Sequence, residues 1–222
     1  MSILFVLLTF LVVISITYMM RREEQPGEAR AADPWARMVA PSISRELGFE
    51  IPKDFCFHPG HTWVRDEGRQ NGRIGMDALA TKILGKIDRI EVAGLNRWVR
   101  QGQKLMTITR EGQTIDLLSP VEGVITSVNH EVVKDPSLVL SDPYNKGWVC
   151  VVKSPEMTTN LKNLVRGPLI GPWLHNSVQR MNNLRMTANP AMAQDGGIPT
   201  GDMLSGLDNE AQRKLIQEVF LT

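Results

Sequence analysis

The side chains best suited to chemistry in this chain lie between Cys56 and His61. His58 and His61 flank Pro59-Gly60, and Cys56 precedes His58 by two residues. Imidazole and thiolate groups bind zinc and haem iron, so the segment is a candidate metal or haem site. The alternative is structural, with Pro59-Gly60 as a turn and His61 at the start of a strand. We favour the structural interpretation and expect no metal ligand here.

Sequence patterns typical of catalysis are missing. There is no G-x-S-x-G motif, no cysteine with a matching histidine and acid, and no paired carboxylates. The formal charge of +1 indicates no broad basic surface for nucleic acid. Cys56 and Cys150 lack CxxC spacing and are interpreted as buried apolar residues, with a disulfide or a reactive thiol as alternatives. We therefore expect no enzyme, no cofactor and no nucleic-acid partner.

A membrane anchor is predicted over residues 3–20, which carry no charge. At about 1.5 Å per residue such a helix spans roughly 27 Å, close to the thickness of the hydrocarbon core. Positive charge follows the span, at Arg21, Arg22, Arg30 and Arg37. Because positive flanks stay on the cytoplasmic side, we expect a single-pass protein of the inner, cytoplasmic-type membrane. Its N-terminus would lie outside and its soluble domain in the cytoplasm.

The remaining chain divides into three segments after the transmembrane helix of residues 1–20. Residues 21–50 are predicted to be a juxtamembrane connector, because prolines interrupt a mixed-charge stretch. Residues 51–155 show short strand-like runs separated by turn residues, which is typical of a small β-sandwich or barrel. Residues 156–222 are predicted to form a helical or extended C-terminal arm, with helices over 160–167 and 172–186 and a linker or extended arm over 187–206.

Local signals predict several details of the β segment and the arm. Asp77 and Gly85 are expected to cap a helix at its two ends. Glu111-Gly112 is expected to form a tight hairpin turn, with Gly112 at positive φ. Asp208 or Asn209 is expected to cap a last helix, whose apolar stripe follows 3.6-residue spacing and must dock on its own body or on a neighbour. The predicted strands cover 62–64, 72–76, 87–92, 98–99, 104–109, 114–118, 123–129 and 147–153.

An ordered series of motifs resembles the H protein of the glycine cleavage system, a carrier related to lipoyl and biotinyl domains. The series covers nearly half the chain and includes His61-Thr62-Trp63-Val64, Gly85-Lys86-Ile87, residues 116–123 (DLLSPVEG), Asp135-Pro136-Ser137-Leu138-Val139 and residues 142–148 (DPYNKGW). The resemblance implies a mainly β fold: a lipoyl-like small β-sandwich (barrel-sandwich hybrid), here with an N-terminal transmembrane helix and a C-terminal helical arm.

The resemblance fails at the functional residue. The family's lipoyl lysine would lie four residues before Asp116, at Gly112, and no lysine occurs between Lys104 and Lys134. Attachment of lipoate requires a primary amine, which glycine does not have and arginine does not replace. We therefore expect a degenerate, non-lipoylated domain without a bound cofactor.

These observations predict a non-catalytic, membrane-anchored structural or interaction subunit of a larger membrane complex, such as a respiratory or photosynthetic one. Its expected partners are integral membrane subunits, together with the bilayer through residues 3–20. The alternative is an adaptor or regulator that binds lipoate-handling enzymes at the membrane through the hairpin around Gly112. The candidate contact residues are Trp35, Trp173, Leu174, Leu215, Ile216, Val219 and Phe220.

Overall fold

The computed structural model describes residues 43–188 and 202–221. The strands in these ranges are β1 (Ile43–Glu46), β2 (Phe49–Pro52), β3 (Cys56–Phe57), β4 (Thr62–Asp66), β5 (Asn71–Met76), β6 (Arg89–Val92), β7 (Trp98–Val99), β8 (Lys104–Arg110), β9 (Gln113–Leu118), β10 (Gly123–Val128) and β11 (Cys150–Lys153). The helices are α1 (Ala78–Leu84), α2 (His130–Lys134), α3 (Ser137–Ser141), α4 (Met157–Lys162), α5 (Ile170–Ala188) and α6 (Asn209–Phe220), with a 3₁₀ turn at Gly167–Leu169.

The strands form two antiparallel sheets and a separate hairpin. One sheet has the order β3-β4-β5-β11-β10-β7, the other has the order β6-β8-β9, and β1 pairs with β2. Both sheets contribute to one continuous hydrophobic core, which includes Trp63 and Ile74 from the first sheet and Ile108 and Ile115 from the second. The mainly β body with C-terminal helices is confirmed.

Alternation of side chains explains how the second sheet covers the core. In β8 and β9, Ile108, Ile115 and Leu117 are buried, whereas the residues next to them in sequence are at least partly exposed. Successive side chains of a strand point to opposite faces, so this pattern places one apolar face inward.

Helix α1 has the caps that the sequence predicts. The Asp77 carboxylate accepts a hydrogen bond from the Ala80 N–H at 2.8 Å. Gly85 has φ +63° and its N–H donates to the Thr81 carbonyl. A Cβ on Gly85 would collide with Asp202, so close packing adds to the conformational reason for glycine at this position.

The β structure begins earlier than the predicted boundary at residue 51. The β1–β2 hairpin lies mainly within the segment predicted as a connector, and its turn residues Leu47 and Gly48 both have positive φ. Leucine is an uncommon residue for such a turn, so the sequence carried no clear hairpin signal. Burial of Phe49 and Ile51 supplies the stabilisation that the turn chemistry lacks.

Other differences concern the helices and the linker. Residues 130–141 form α2 and α3, which the sequence analysis did not predict, and α4 begins three residues before the expected helix at 160. Helix α5 starts two residues before Pro172, which its first turn accommodates. The predicted linker over 187–206 is wrong at its end, because Met203 and Leu204 are buried in the core.

Residues 43–188 and 202–221 contain no helix that combines the length and the hydropathy needed to span a bilayer. The anchor predicted over residues 3–20 and the candidate contact residue Trp35 lie outside the described residues.

Candidate functional site

The β8–β9 hairpin ends in a two-residue turn at the position where the resemblance places a carrier lysine. Arg110 pairs with Gln113, which leaves Glu111 and Gly112 as the turn. Their φ angles are +48° and +79°, as in the type I′ turns that match the twist of a hairpin. A Cβ on Gly112 would meet no atom within 4 Å. The expected tight turn is confirmed, and its apex is open but has no side chain.

The base of this turn is held from two sides. The Glu111 N–H donates to an Asp88 carboxylate oxygen at 2.6 Å, and this hydrogen bond is the main cause of the lowered pKa of Asp88. The Arg110 guanidinium donates to the Asp202 carboxylate, also at 2.6 Å. The Arg110 side chain is only 4% exposed, so this ion pair is largely shielded from water. The residues at the base of the hairpin tip are therefore held by one contact to Asp88 and one to Asp202.

Asp202 belongs to the C-terminal strap, defined here as residues 202–221. The Asp202 N–H donates to the Lys82 carbonyl at 3.0 Å, which attaches the start of the strap to α1. Asp208 caps α6 by accepting from the Ala211 N–H. Helix α6 then packs against β9 and α5. An open cleft of about 720 Å³ remains between the hairpin tip and α6, with Glu111 and Arg213 in its lining.

The structure places six of the seven predicted contact residues in or against the core of this chain. Trp173 is partly buried and stacks on the His61 ring, with centroids 4.8 Å apart. The other five are buried: Leu174, Leu215, Ile216, Val219 and Phe220. These apolar side chains already contact residues of the same chain. Contact with a partner at these positions stays a prediction, and it would require the strap to move.

His61 forms a buried pair that the sequence analysis missed. Its Nδ1 lies 2.7 Å from an Asp77 carboxylate oxygen, and both side chains are almost completely buried. The Asp77 N–H also donates to the His61 carbonyl. His61 has φ +62°, an uncommon value for a residue other than glycine. The pair joins the chain before β4 to the start of α1, which is a structural role.

The segment Cys56–His61 was the candidate metal or haem site. The His58 Nδ1 accepts a hydrogen bond from the Gly60 N–H, and burial, followed by the neighbouring His61, lowers the pKa of His58. No group of three or more potential metal-binding side chains occurs in the described part of the chain. Both thiols are free. Burial raises the pKa of Cys150 to about 12 and also raises that of Cys56.

Comparison with known proteins identifies relatives of the β domain. The glycine cleavage H-protein family model matches residues 56–170. The glycine cleavage system H protein of Carboxydothermus hydrogenoformans is 36% identical over 103 residues, which cover 46% of this chain and 78% of the relative. A probable mitochondrial glycine cleavage system H protein 1 of Dictyostelium discoideum is 34% identical over 104 residues, covering 46% and 71%.

A crystal structure of the glycine cleavage system H protein from Mycobacterium marinum also matches. The two sequences are 25% identical, the match covers 47% of this chain and 87% of that one, and the TM-score is 0.44. The strap of residues 202–221 lies beyond the residues that the family model matches.

Proposed function

Because the chain belongs to the glycine cleavage H-protein family, we propose that it is a non-catalytic, membrane-anchored structural or interaction subunit of a larger membrane complex. Respiratory and photosynthetic complexes are the classes that fit such a subunit. Its H-protein-like domain acts as a docking scaffold and carries no lipoate. The observation that supports this proposal is Gly112 at the apex of an otherwise complete hairpin.

Loss of the lysine removes the carried group while leaving the scaffold. Lipoate is attached through an amide to a primary amine, and neither residue of the turn has one. Lys104 lies at the far end of β8, where its ammonium group is 2.7 Å from the Asp116 carboxylate. It is therefore no substitute for a lysine at the apex.

The membrane part of the proposal comes from the sequence. An uncharged stretch over residues 3–20 followed by arginines is typical of a single-pass anchor with a cytoplasmic body. Such an anchor contacts integral membrane subunits, while the β domain provides surface on the cytoplasmic side. Protease protection of the body in right-side-out membrane vesicles tests this topology, and digestion of the body in those vesicles contradicts it.

Co-purification in mild detergent tests the partner class. Tagged full-length chain is isolated from its own membranes, and mass spectrometry identifies the proteins that accompany it. Integral membrane subunits in fixed ratio support the proposal, whereas a chain that migrates alone in several detergents contradicts it. Intact mass of the same material reports on lipoate, because a lipoyl adduct on the native chain overturns the non-carrier role.

An adaptor that binds lipoate-handling enzymes at the membrane is the second candidate, and the fixed geometry of the hairpin tip favours it. This role requires soluble partners whose binding depends on the turn. Glu111→Arg reverses an exposed charge beside Gly112, and Lys134→Glu is a control charge reversal on α2. Loss of soluble partners with Glu111→Arg alone supports the adaptor, and equal partner recovery with both variants contradicts it.

A further inference from the structure

The turn before β7 and the first residue of β7 each display a large apolar side chain to solvent. Leu95 is 52% exposed and Trp98 is 47% exposed. All residues from 94 to 98 are exposed, and a Cβ on Gly94 would meet no atom within 4 Å. The turn therefore projects from the body of the domain.

Backbone hydrogen bonds hold the projecting turn in place. The Asn96 N–H donates to the Ile125 carbonyl at 2.9 Å, and the Ile125 N–H donates to the Arg97 carbonyl at 3.0 Å. A third bond, from the Arg97 N–H to the Gly94 carbonyl, closes the turn itself. Because the backbone is already ordered, little conformational entropy is lost when Leu95 and Trp98 contact another surface.

Basic side chains accompany the two apolar ones. Arg97 and Arg100 flank Trp98 in sequence, and Lys153 shares its sheet face because Val124 pairs with both Trp98 and Lys153. Among the described residues, none of these three cationic groups forms an ion pair.

Two acidic side chains lie near this region. Glu91 is paired with Arg89 at 3.0 Å. Glu122 is partly exposed, precedes the Gly123–Val99 pair and forms no ion pair with the cations named above. The Trp98 region therefore combines three unpaired cations with one unpaired carboxylate.

We propose that the Trp98 face, defined by Leu95, Arg97, Trp98, Arg100 and Lys153, docks on an anionic lipid surface. Leu95 and Trp98 enter the headgroup region, where tryptophan is favoured, and the cations contact lipid phosphates. A projecting apex suits insertion between headgroups better than it suits a flat protein interface. The inference rests on the proposed membrane attachment, which would tether the chain to a bilayer.

An environment-sensitive fluorophore at Gly94→Cys tests the proposal in the full chain. The site is open, Cys150 is buried, and burial raises the pKa of both native thiols, whereas Cys56 is only partly buried. Labelling of the native chain, which lacks a cysteine at position 94, measures the background from Cys56. The labelled chain is reconstituted in nanodiscs of phosphatidylcholine with or without phosphatidylglycerol. We expect blue-shifted emission and quenching by doxyl lipids in the anionic discs only.

Charge variants provide the quantitative readout. Arg97→Gln and Arg100→Gln should each lower the ratio of docked to undocked chain roughly fivefold, the effect of one cation near an anionic surface. Lys82→Gln removes an exposed cation on α1 and should leave the ratio unchanged. Equal effects of the three variants would show that net charge alone is responsible and would overturn the assigned face.

The remaining outcomes separate this inference from the proposed anchor. A chain that stays in the discs with its label in water overturns the docking face and leaves the anchor intact. A chain that leaves the discs refutes the anchor. In that case, fluorescence emission of the labelled chain mixed with anionic vesicles decides whether the Trp98 face binds lipid. A blue shift that requires a co-purified protein contradicts lipid docking.

Discussion

Arg110 and Asp202 are 92 positions apart in the chain, and their side chains meet at 2.6 Å. Arg110 is the last residue of β8, beside the hairpin tip, and Asp202 begins the C-terminal strap. This contact connects the residues that resemble the H protein with a segment beyond the family match. The geometry of the tip therefore depends in part on residues outside the shared domain.

Removal of the Asp202 charge should loosen the strap. Asp202→Asn weakens a hydrogen bond to a buried guanidinium and should cost about 1–2 kcal/mol of unfolding free energy, since Asp202 itself is partly exposed. Urea unfolding measures the loss, and hydrogen exchange should accelerate in residues 202–221. Glu210→Gln, in an exposed pair with Lys214, is the control and should leave the unfolding free energy nearly unchanged. Equal losses of unfolding free energy in the two variants would contradict the conclusion that the Arg110–Asp202 pair gains strength from being shielded from water.

A lysine at the hairpin apex should allow lipoate to be attached, if a lipoyl-protein ligase recognises this domain. Gly112→Lys places a lysine in open space at the hairpin apex, at a strain of about 1 kcal/mol for positive φ. With lipoyl-protein ligase, lipoic acid and ATP, intact mass should show one lipoyl group on this variant and none on the native chain.

Gly68→Lys is the matched control for that experiment, because Gly68 also has φ +79° and open space around it. It should remain unmodified. A folded Gly112→Lys chain that is not modified would show that the ligase no longer recognises this hairpin.

Alkaline pH should destabilise the protein through Cys150. Burial raises the pKa of the folded-state thiol to about 12 from its ordinary value of 9.0, so the folded state retains a proton that the unfolded state releases. The unfolding free energy is unaffected by this thiol below about pH 9. Between the two pKa values it falls as the pH rises, by up to about 1.4 kcal/mol per pH unit. Urea unfolding at about pH 8 and about pH 10 should show a steeper decline for the native chain than for Cys150→Ala. Parallel declines would contradict this assignment.

Asp77 should matter more than an ordinary helix cap. Asp77→Ala removes the cap of α1 and also the partner of the buried His61, so we expect a loss of about 2–4 kcal/mol. Asp208→Ala removes only the exposed cap of α6 and should cost about 1 kcal/mol. The two losses are compared by urea unfolding, and similar values would show that the His61 contact adds nothing.

The sequence by itself determined the features that depend on a few adjacent residues. The Glu111-Gly112 turn, the caps Asp77 and Gly85, and most strand positions follow from local conformational preferences and side-chain alternation. The absence of lysine from the hairpin apex is likewise visible in the sequence, whereas the alignment of Gly112 with the carrier position stays a prediction from the ordered motifs.

Only the tertiary structure decided which distant groups meet. The spacing of apolar residues predicted the amphipathic stripe of α6. It did not predict that the stripe packs on its own domain, because contact with a neighbouring protein would bury the same residues. The pairs Arg110–Asp202 and His61–Asp77, and the early β1–β2 hairpin, depend on packing between elements that no local pattern encodes. Their stabilisation comes from burial and shielding, which exist only once the chain has folded.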